Sequence, residues 1–249
     1  MIRTTLLNTK LATWAVYART RTDRAPEVLG TCFCIDSRGL FLTARHVVVD
    51  KVGDPLRIEG LLQPTPVADR ASGALRVAEG ISVDQLWEAS DVALLRADLS
   101  GNASKEWMAD GLSSLRLASS TPDDGAPVYS YGFPLPREVY TVDYGIAAIA
   151  WPALSPRLVS ATLAGQEYVV GGDPGQARKD LLLIDKAFDY GHSGAALVSV
   201  DTGEALGVAI EFEPTTIEQG DGRGLWIPSN FGVVSSMSNV IQDIASLLD

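Results

Sequence analysis

The chain has 249 residues, 46% of them apolar and 20% charged, with a formal net charge of −11 at pH 7. Those proportions are those of a globular domain with room for a substantial core, and they exclude a wholly disordered chain. The acidic balance, with no Lys/Arg cluster to override it locally, argues against phosphate backbones, so no nucleic-acid partner is expected.

At the N-terminus an apolar stretch follows the basic Arg3, but Asn8, Thr9 and Lys10 interrupt it before it reaches the length of a secretory core. No apolar run approaches a membrane span, so no membrane contact is expected either. The two cysteines, Cys32 and Cys34, sit two apart in an apolar run and would point to the same face of one strand, a geometry that disfavours a bridge. They supply neither the four ligands of a structural zinc nor a Cys-x-x-Cys pair. Buried thiols in a reducing, cytoplasmic compartment are expected, with no metal and no cofactor.

Short runs rich in Val, Ile, Leu, Thr and Tyr, separated by Gly, Pro, Asp and Asn, are the pattern of many short strands. Strands are predicted at Thr13 to Thr20, Gly30 to Ile35, Phe41 to Thr43, Val92 to Arg96, Pro127 to Gly132, Tyr140 to Ala150, Leu181 to Ile184, Ala195 to Val200, Ala205 to Ile210 and Leu225 to Pro228. No helix alternates with them, which disfavours a doubly wound α/β fold and leaves a pair of barrels or a sandwich. Residues 51–88 carry no clear period. A short helix is predicted over Ala103 to Leu112. From Ser235 the spacing of Val240, Ile241, Ile244, Leu247 and Leu248 predicts an amphipathic C-terminal helix that must dock on the body. The polar cluster Ser119 to Asp124 marks the expected boundary between two lobes, 1–120 and 121–234, with the helix occupying 235–249.

The tightest chemical signal is Tyr190-Gly191-His192-Ser193-Gly194-Ala195-Ala196-Leu197, a Gly-x-Ser-Gly turn running into an apolar strand. Its glycines let the chain curl so that the amides of Gly191 and Ser193 point at one spot, an oxyanion hole. Read alone, the same residues could be a plain hairpin turn. A serine hydroxyl needs a neighbouring base. His192 is adjacent in sequence, where a tight turn points successive side chains apart; His46, at the end of a strand in Leu42-Thr43-Ala44-Arg45-His46-Val47-Val48, is the better base. The acid that orients the imidazole should be buried. Asp91 opens the apolar run Asp91-Val92-Ala93-Leu94-Leu95, and Asp50 and Asp84 compete without leading such a run.

The Gly-rich stretch Gly171 to Lys179 lacks the Gly-Lys-Ser/Thr of a phosphate loop and reads as a surface loop. Gln219 to Gly224 lacks the ligand count of a calcium loop and reads as a hairpin.

Taken in the order His, Asp, Ser, the segments Leu-Thr-Ala-x-His-Val-Val, Asp-Val-Ala-Leu-Leu and Gly-His-Ser-Gly-Ala resemble the trypsin-like serine peptidases, and within them the bacterial HtrA-type branch. Further matches are Gly30-Thr31-Cys32-Phe33, Tyr131-Gly132-Phe133-Pro134, Gly145-Ile146, Asp185 and Gly224-Leu225-Trp226-Ile227-Pro228-Ser229-Asn230. The resemblance implies an all-β fold of two perpendicular six-stranded antiparallel β-barrels (chymotrypsin-like), here followed by the C-terminal helix, with a triad of His46, Asp91 and Ser193 in the cleft between them. It implies hydrolysis of peptide bonds in a protein or peptide substrate through an acyl-enzyme. It also places the specificity pocket at about Ala187 to Tyr190, Ile210 to Phe212 and Gly224. Ala187 at the pocket floor argues against a basic P1 residue, although Asp189 and Glu211 lie close enough to reverse that; a small or apolar P1 residue is expected.

Departures from the family pattern sharpen the expectation. His192 stands where secreted digestive members have the Asp that pairs with a freed N-terminus, and Ala195 replaces the second glycine after the serine. With the chain ending at Asp249, the PDZ module of HtrA-type members is expected to be absent. A free-standing protease endangers its cell, so a latent or narrowly selective enzyme, controlled by a regulatory protein partner, is expected. The alternative is a catalytically silent protease fold that uses the cleft only to bind a peptide or protein.

Overall fold

Several of the apolar runs are buried along almost their whole length rather than at every second residue. Such a pattern needs a strand covered on both faces. It holds for β2 (Glu27–Asp36), β3 (Leu40–Ala44) and β7 (Val92–Arg96). The computed structural model describes residues 2–20, 26–64, 75–100, 111–134, 137–139, 151–169, 179–218 and 224–248. Together with β1 (Thr13–Arg19), β4 (Arg57–Pro64), β5 (Leu75–Ala78) and β6 (Ser82–Trp87), these strands form one antiparallel sheet of seven in the order β5-β4-β1-β2-β3-β7-β6.

The second half begins with β8 (Pro127–Gly132) and a two-stranded piece, β9 (Arg137–Val139) with β10 (Trp151–Ala153). It continues through β11 (Arg157–Val169), β12 (Lys179–Ile184), β13 (Ala196–Ser199), β14 (Ala205–Glu218) and β15 (Gly224–Ser236). With β8 these close into a six-stranded antiparallel barrel, β11-β12-β15-β14-β13-β8. The expectation of two six-stranded barrels therefore holds for the second half. The first half has an additional strand, and its outer strands β5 and β6 do not pair with each other among the described residues; β5 covers the free edge of β4 instead.

Helices α1 (Ile2–Ala12), α2 (Arg45–Val48) and α3 (Ile241–Leu248) complete the described structure. The sequence gives no sign of α1, whose polar residues fall without a helical period; it is fastened to the second barrel by the buried contact of Thr9 Oγ1 with the Tyr129 hydroxyl, 2.9 Å. The C-terminal helix starts later than predicted. Ser235 and Ser236 finish β15, Ser236 Oγ then accepts from the Ser238 N–H to cap a 3-10 turn over Met237–Asn239, and only then does α3 begin. Val240 and Ile244 are buried, whereas Leu247 remains 46% exposed, so the docking stripe is narrower than the pattern suggested. Trp87 Nε1 donates to Asp243 Oδ2 at 2.7 Å, tying α3 to the β6–β7 hairpin.

The strands β14 and β15 run well past the predicted Ala205 to Ile210 and Leu225 to Pro228. Leu225 to Pro228 pair with Pro214 to Ile217 in the outer part of this hairpin, while Gly232 to Ser235 supply the barrel pairing with β12. The predicted strand Tyr140 to Ala150, the helix Ala103 to Leu112 as far as residue 110, and the loops 171–178 and 219–223 lie outside the described residues. Residues 111–114 have no regular structure. No described helix is long and apolar enough to cross a membrane. Cys32 and Cys34 are free and buried as predicted, and burial pushes the Cys34 thiol up to about 12, so it stays protonated at neutral pH.

Candidate active site

The pairing of β3 with β7 aligns Ala44 with Val92. In an antiparallel pair, the residue leaving one strand then lies beside the residue entering the other. Arg45 and His46, at the start of α2, accordingly face Asp91. The Arg45 N–H donates to the Asp91 carbonyl at 2.9 Å, and the His46 N–H to Asp91 Oδ1 at 3.1 Å. The second carboxylate oxygen is then free to take the His46 ring, with Nδ1 2.6 Å from Asp91 Oδ2. Asp91 is the one described non-glycine residue at positive φ, 53°, the left-handed region that Asp and Asn tolerate best among residues with a side chain. The backbone strain of the hairpin turn thus falls on the residue whose carboxylate holds the histidine.

Ser193 reaches the same cleft from the second barrel. The cleft holds about 500 Å³ and is lined by His46, Asp91 and Ser193, with Gly191, Asp189, Tyr190 and Ile210 around them. The turn that carries Ser193 is clamped from both halves. From β2, the Thr31 N–H donates to the Ser193 carbonyl at 2.8 Å and Thr31 Oγ1 to the Gly191 carbonyl at 2.8 Å. From β14, the Ala209 carbonyl accepts from Gly194 N–H at 2.7 Å. Gly194 has φ 90°, and a Cβ there would collide with the Thr31 carbonyl and the Thr43 hydroxyl, so only glycine can occupy it. The methyl of Ala195, in contrast, points into the barrel core with no exposure, which is how the replacement of the second glycine is accommodated.

With the Gly191 carbonyl turned toward Thr31, the N–H groups of Gly191 and Ser193 donate no backbone hydrogen bond among the described residues. Two such donors beside a hydroxyl can bind an anionic oxygen. The Ser193 hydroxyl donates to the Ile210 carbonyl at 3.3 Å rather than to His46.

The sequence-derived pocket residues divide. Asp189, Tyr190 and Ile210 line the cleft, and Ala187 does not. Glu211 and Phe212 follow Ile210 on β14, paired with Val233 and Gly232. Gly224 pairs with Glu218 at the outer end of the β14–β15 hairpin, and Gly232, farther along β15, lies beside the Phe188 ring. Phe188, inside the predicted stretch Ala187 to Tyr190, also lines the cleft; sequence reasoning missed Leu29, which lines it too, and Thr31, whose signal lay in the Gly-Thr-Cys-Phe match. The walls are mainly apolar; Asp189 is met by Arg157 at 3.5 Å on the rim. Of the competing acids, Asp50 caps its own turn through the N–H groups of Val52 and Asp54, and Asp84 is held by Arg96 at 2.6 Å.

Residues 30–208 match the trypsin-like peptidase domain, and the chain belongs to that family. Over 185 residues it is 31% identical to "Serine protease HTRA2, mitochondrial" of Drosophila ananassae, an alignment that takes in 72% of this chain and 33% of that protein. The chain thus spans about a third of the length of that curated relative. Among solved structures it resembles the HtrA-type protease AlgW with tripeptide, at TM-score 0.58 and 16% identity, covering 100% of this chain and 64% of that one. It also resembles the active form of the Rv3671c protease from M. tuberculosis, at TM-score 0.58 and 19% identity, covering 97% and 82%. At these identities the structures speak for the fold.

The clamp makes a direct prediction. Thr31→Val keeps the shape of the side chain but leaves the half-buried Gly191 carbonyl without its donor and the buried Phe133 N–H without its acceptor, the Thr31 Oγ1 at 3.0 Å. Chemical denaturation should show a loss of about 2 to 3 kcal/mol, whereas Thr31→Ser should stay close to the parent.

Proposed function

We propose that the chain is a serine endopeptidase in which Ser193 is the nucleophile, His46 the general base and acid, and Asp91 the residue that fixes the tautomer of His46. The observation that carries this reading is the His46–Asp91 pair at 2.6 Å opening onto the cleft that also holds Ser193. With Nδ1–H donated to Asp91, the lone pair of His46 is on Nε2.

In the reaction, Ser193 Oγ forms a bond to the scissile carbonyl carbon as His46 Nε2 takes its proton. The Gly191 and Ser193 N–H groups receive the resulting oxyanion, each worth on the order of a hundredfold or more in rate. Collapse breaks the C–N bond, and the departing amine takes the proton from His46. Water, deprotonated by the same histidine, then hydrolyses the ester and restores Ser193.

At rest the hydroxyl donates to the Ile210 carbonyl at 3.3 Å, a bond it must leave to give its proton to His46. A latent or narrowly selective enzyme is part of the same reading. Phe188 and Ile210 in the cleft favour a small or apolar P1 residue, with Asp189 engaged by Arg157. The division into lobes 1–120 and 121–234 belongs to the same reading, His46 and Asp91 coming from the first and Ser193 from the second. Incubation with an unstructured peptide library, read by mass spectrometry, should give a few cuts after small or apolar residues, all absent with Ser193→Ala. Products formed equally by that variant would reject the proposal.

A further inference from the structure

His192 directly precedes Ser193, is fully buried, and takes no part in the proton transfers above. Its Nε2 lies 2.9 Å from Ser130 Oγ. Its ring stacks on Phe188 with centroids 4.9 Å apart and planes 14° from parallel. Nδ1 is buried and finds no partner among the described residues. A buried N–H without an acceptor costs more than a lone pair without a donor, so the proton resides on Nε2 and is donated to Ser130. Burial also lowers the pKa of the ring to about 4, which keeps it neutral at pH 7.

Ser130 makes a firm anchor. It is fully buried in β8, paired on one side with Val159 of β11 and on the other with Leu197 of β13. Thr31 grips the Gly191 and Ser193 carbonyls and the Ala209 carbonyl grips the Gly194 N–H, whereas the backbone of His192 is bonded within the turn, to the Asp189 carbonyl and the Ala195 N–H. The His192 side chain ties that residue to the barrel wall.

We propose that His192 is a positioning residue: its hydrogen bond to Ser130 and its stack on Phe188 set the turn so that the Gly191 and Ser193 N–H groups face the cleft. A neutral ring anchored in the barrel wall thereby fixes the oxyanion donors, with no ion pair required. The proposal rests on the reading of Ser193 as nucleophile, and its test is arranged so that the two can fail separately.

Ser130→Ala, His192→Phe and the double variant are compared with the parent in two measurements. One is the rate constant for labelling of Ser193 by excess fluorophosphonate, per folded molecule. The other is hydrogen exchange at the amides of His192, Gly194 and Ala195, which donate to the carbonyls of Asp189, Ala209 and His192. Each single variant should label about tenfold or more slowly, with the double no slower than the slower single, because both remove one bond. The three amides should lose protection in each variant while those of β8 and β11 keep theirs. Ser130→Ala labelled at the parental rate with the turn still protected overturns the proposal, as do losses that multiply in the double variant. A parent that takes no label overturns the nucleophile reading instead, and exchange in the turn then decides the role of His192.

Discussion

Asp91→Asn is expected to lower kcat about 10⁴-fold with little change in KM or in stability, on the scale this substitution has in triads of this geometry. Asn shares the tolerance of Asp for the left-handed backbone at φ 53°, so the turn survives. The amide oxygen can still accept the His46 N–H in place of Oδ1, which aims the amide NH₂ at Nδ1. Nδ1 must then act as acceptor, the proton moves to Nε2, and the base that should take the Ser193 proton already carries one. Steady-state kinetics on any cleaved peptide, with denaturation alongside, separates this from unfolding; activity within tenfold of the parent would mean that Asp91 does not set the tautomer.

The second large effect is on stability against pH. In the unfolded chain His192 titrates near 6.5, whereas burial lowers its folded pKa to about 4. Between those values the unfolded state binds the extra proton, so stability falls as pH drops through this window and the loss is complete below about pH 4. At 1.36 kcal/mol for each unit of pKa, the loss is about 3 kcal/mol. Phe188, on which the ring stacks, and Ser130, to which it is bonded, are uncharged, and burial alone moves the pKa. Urea denaturation from pH 7 to 4 should therefore show a steeper decline for the parent than for His192→Phe, whose carboxylates titrate equally. Parallel curves would show that His192 is not buried neutral.

What the sequence revealed and what it concealed follow from how local each feature is. The runs Phe41 to Thr43 and Val92 to Leu95 are fully buried with a chemistry-bearing residue beyond one end, so His46 and Asp91 were legible without knowing how β3 and β7 pair. The Gly-x-Ser-Gly turn was legible because φ 90° at Gly194 admits no other residue. Strand β11 was not: of its residues with described burial only Leu163 is buried, and its order comes from pairing with β8 and β12. Helix α1 likewise depends on Tyr129, far along the chain. The Thr31 clamp and the His192–Ser130 bond join residues more than sixty or a hundred positions apart, where no periodicity reports them. The strand expected at Leu225 to Pro228 is present, but its sequence did not show how far β15 runs on. The barrel register is decided by the pairing of Gly232 to Ser235 with β12.

The most direct test of the account is the intact mass of the protein after exposure to a fluorophosphonate, for the parent, Ser193→Ala and His46→Ala. A single adduct on the parent, mapped to Ser193 and missing from both variants, is the result expected of an assembled triad. An adduct that persists in Ser193→Ala, or a parent that stays unlabelled while a known trypsin-like control reacts, would contradict it.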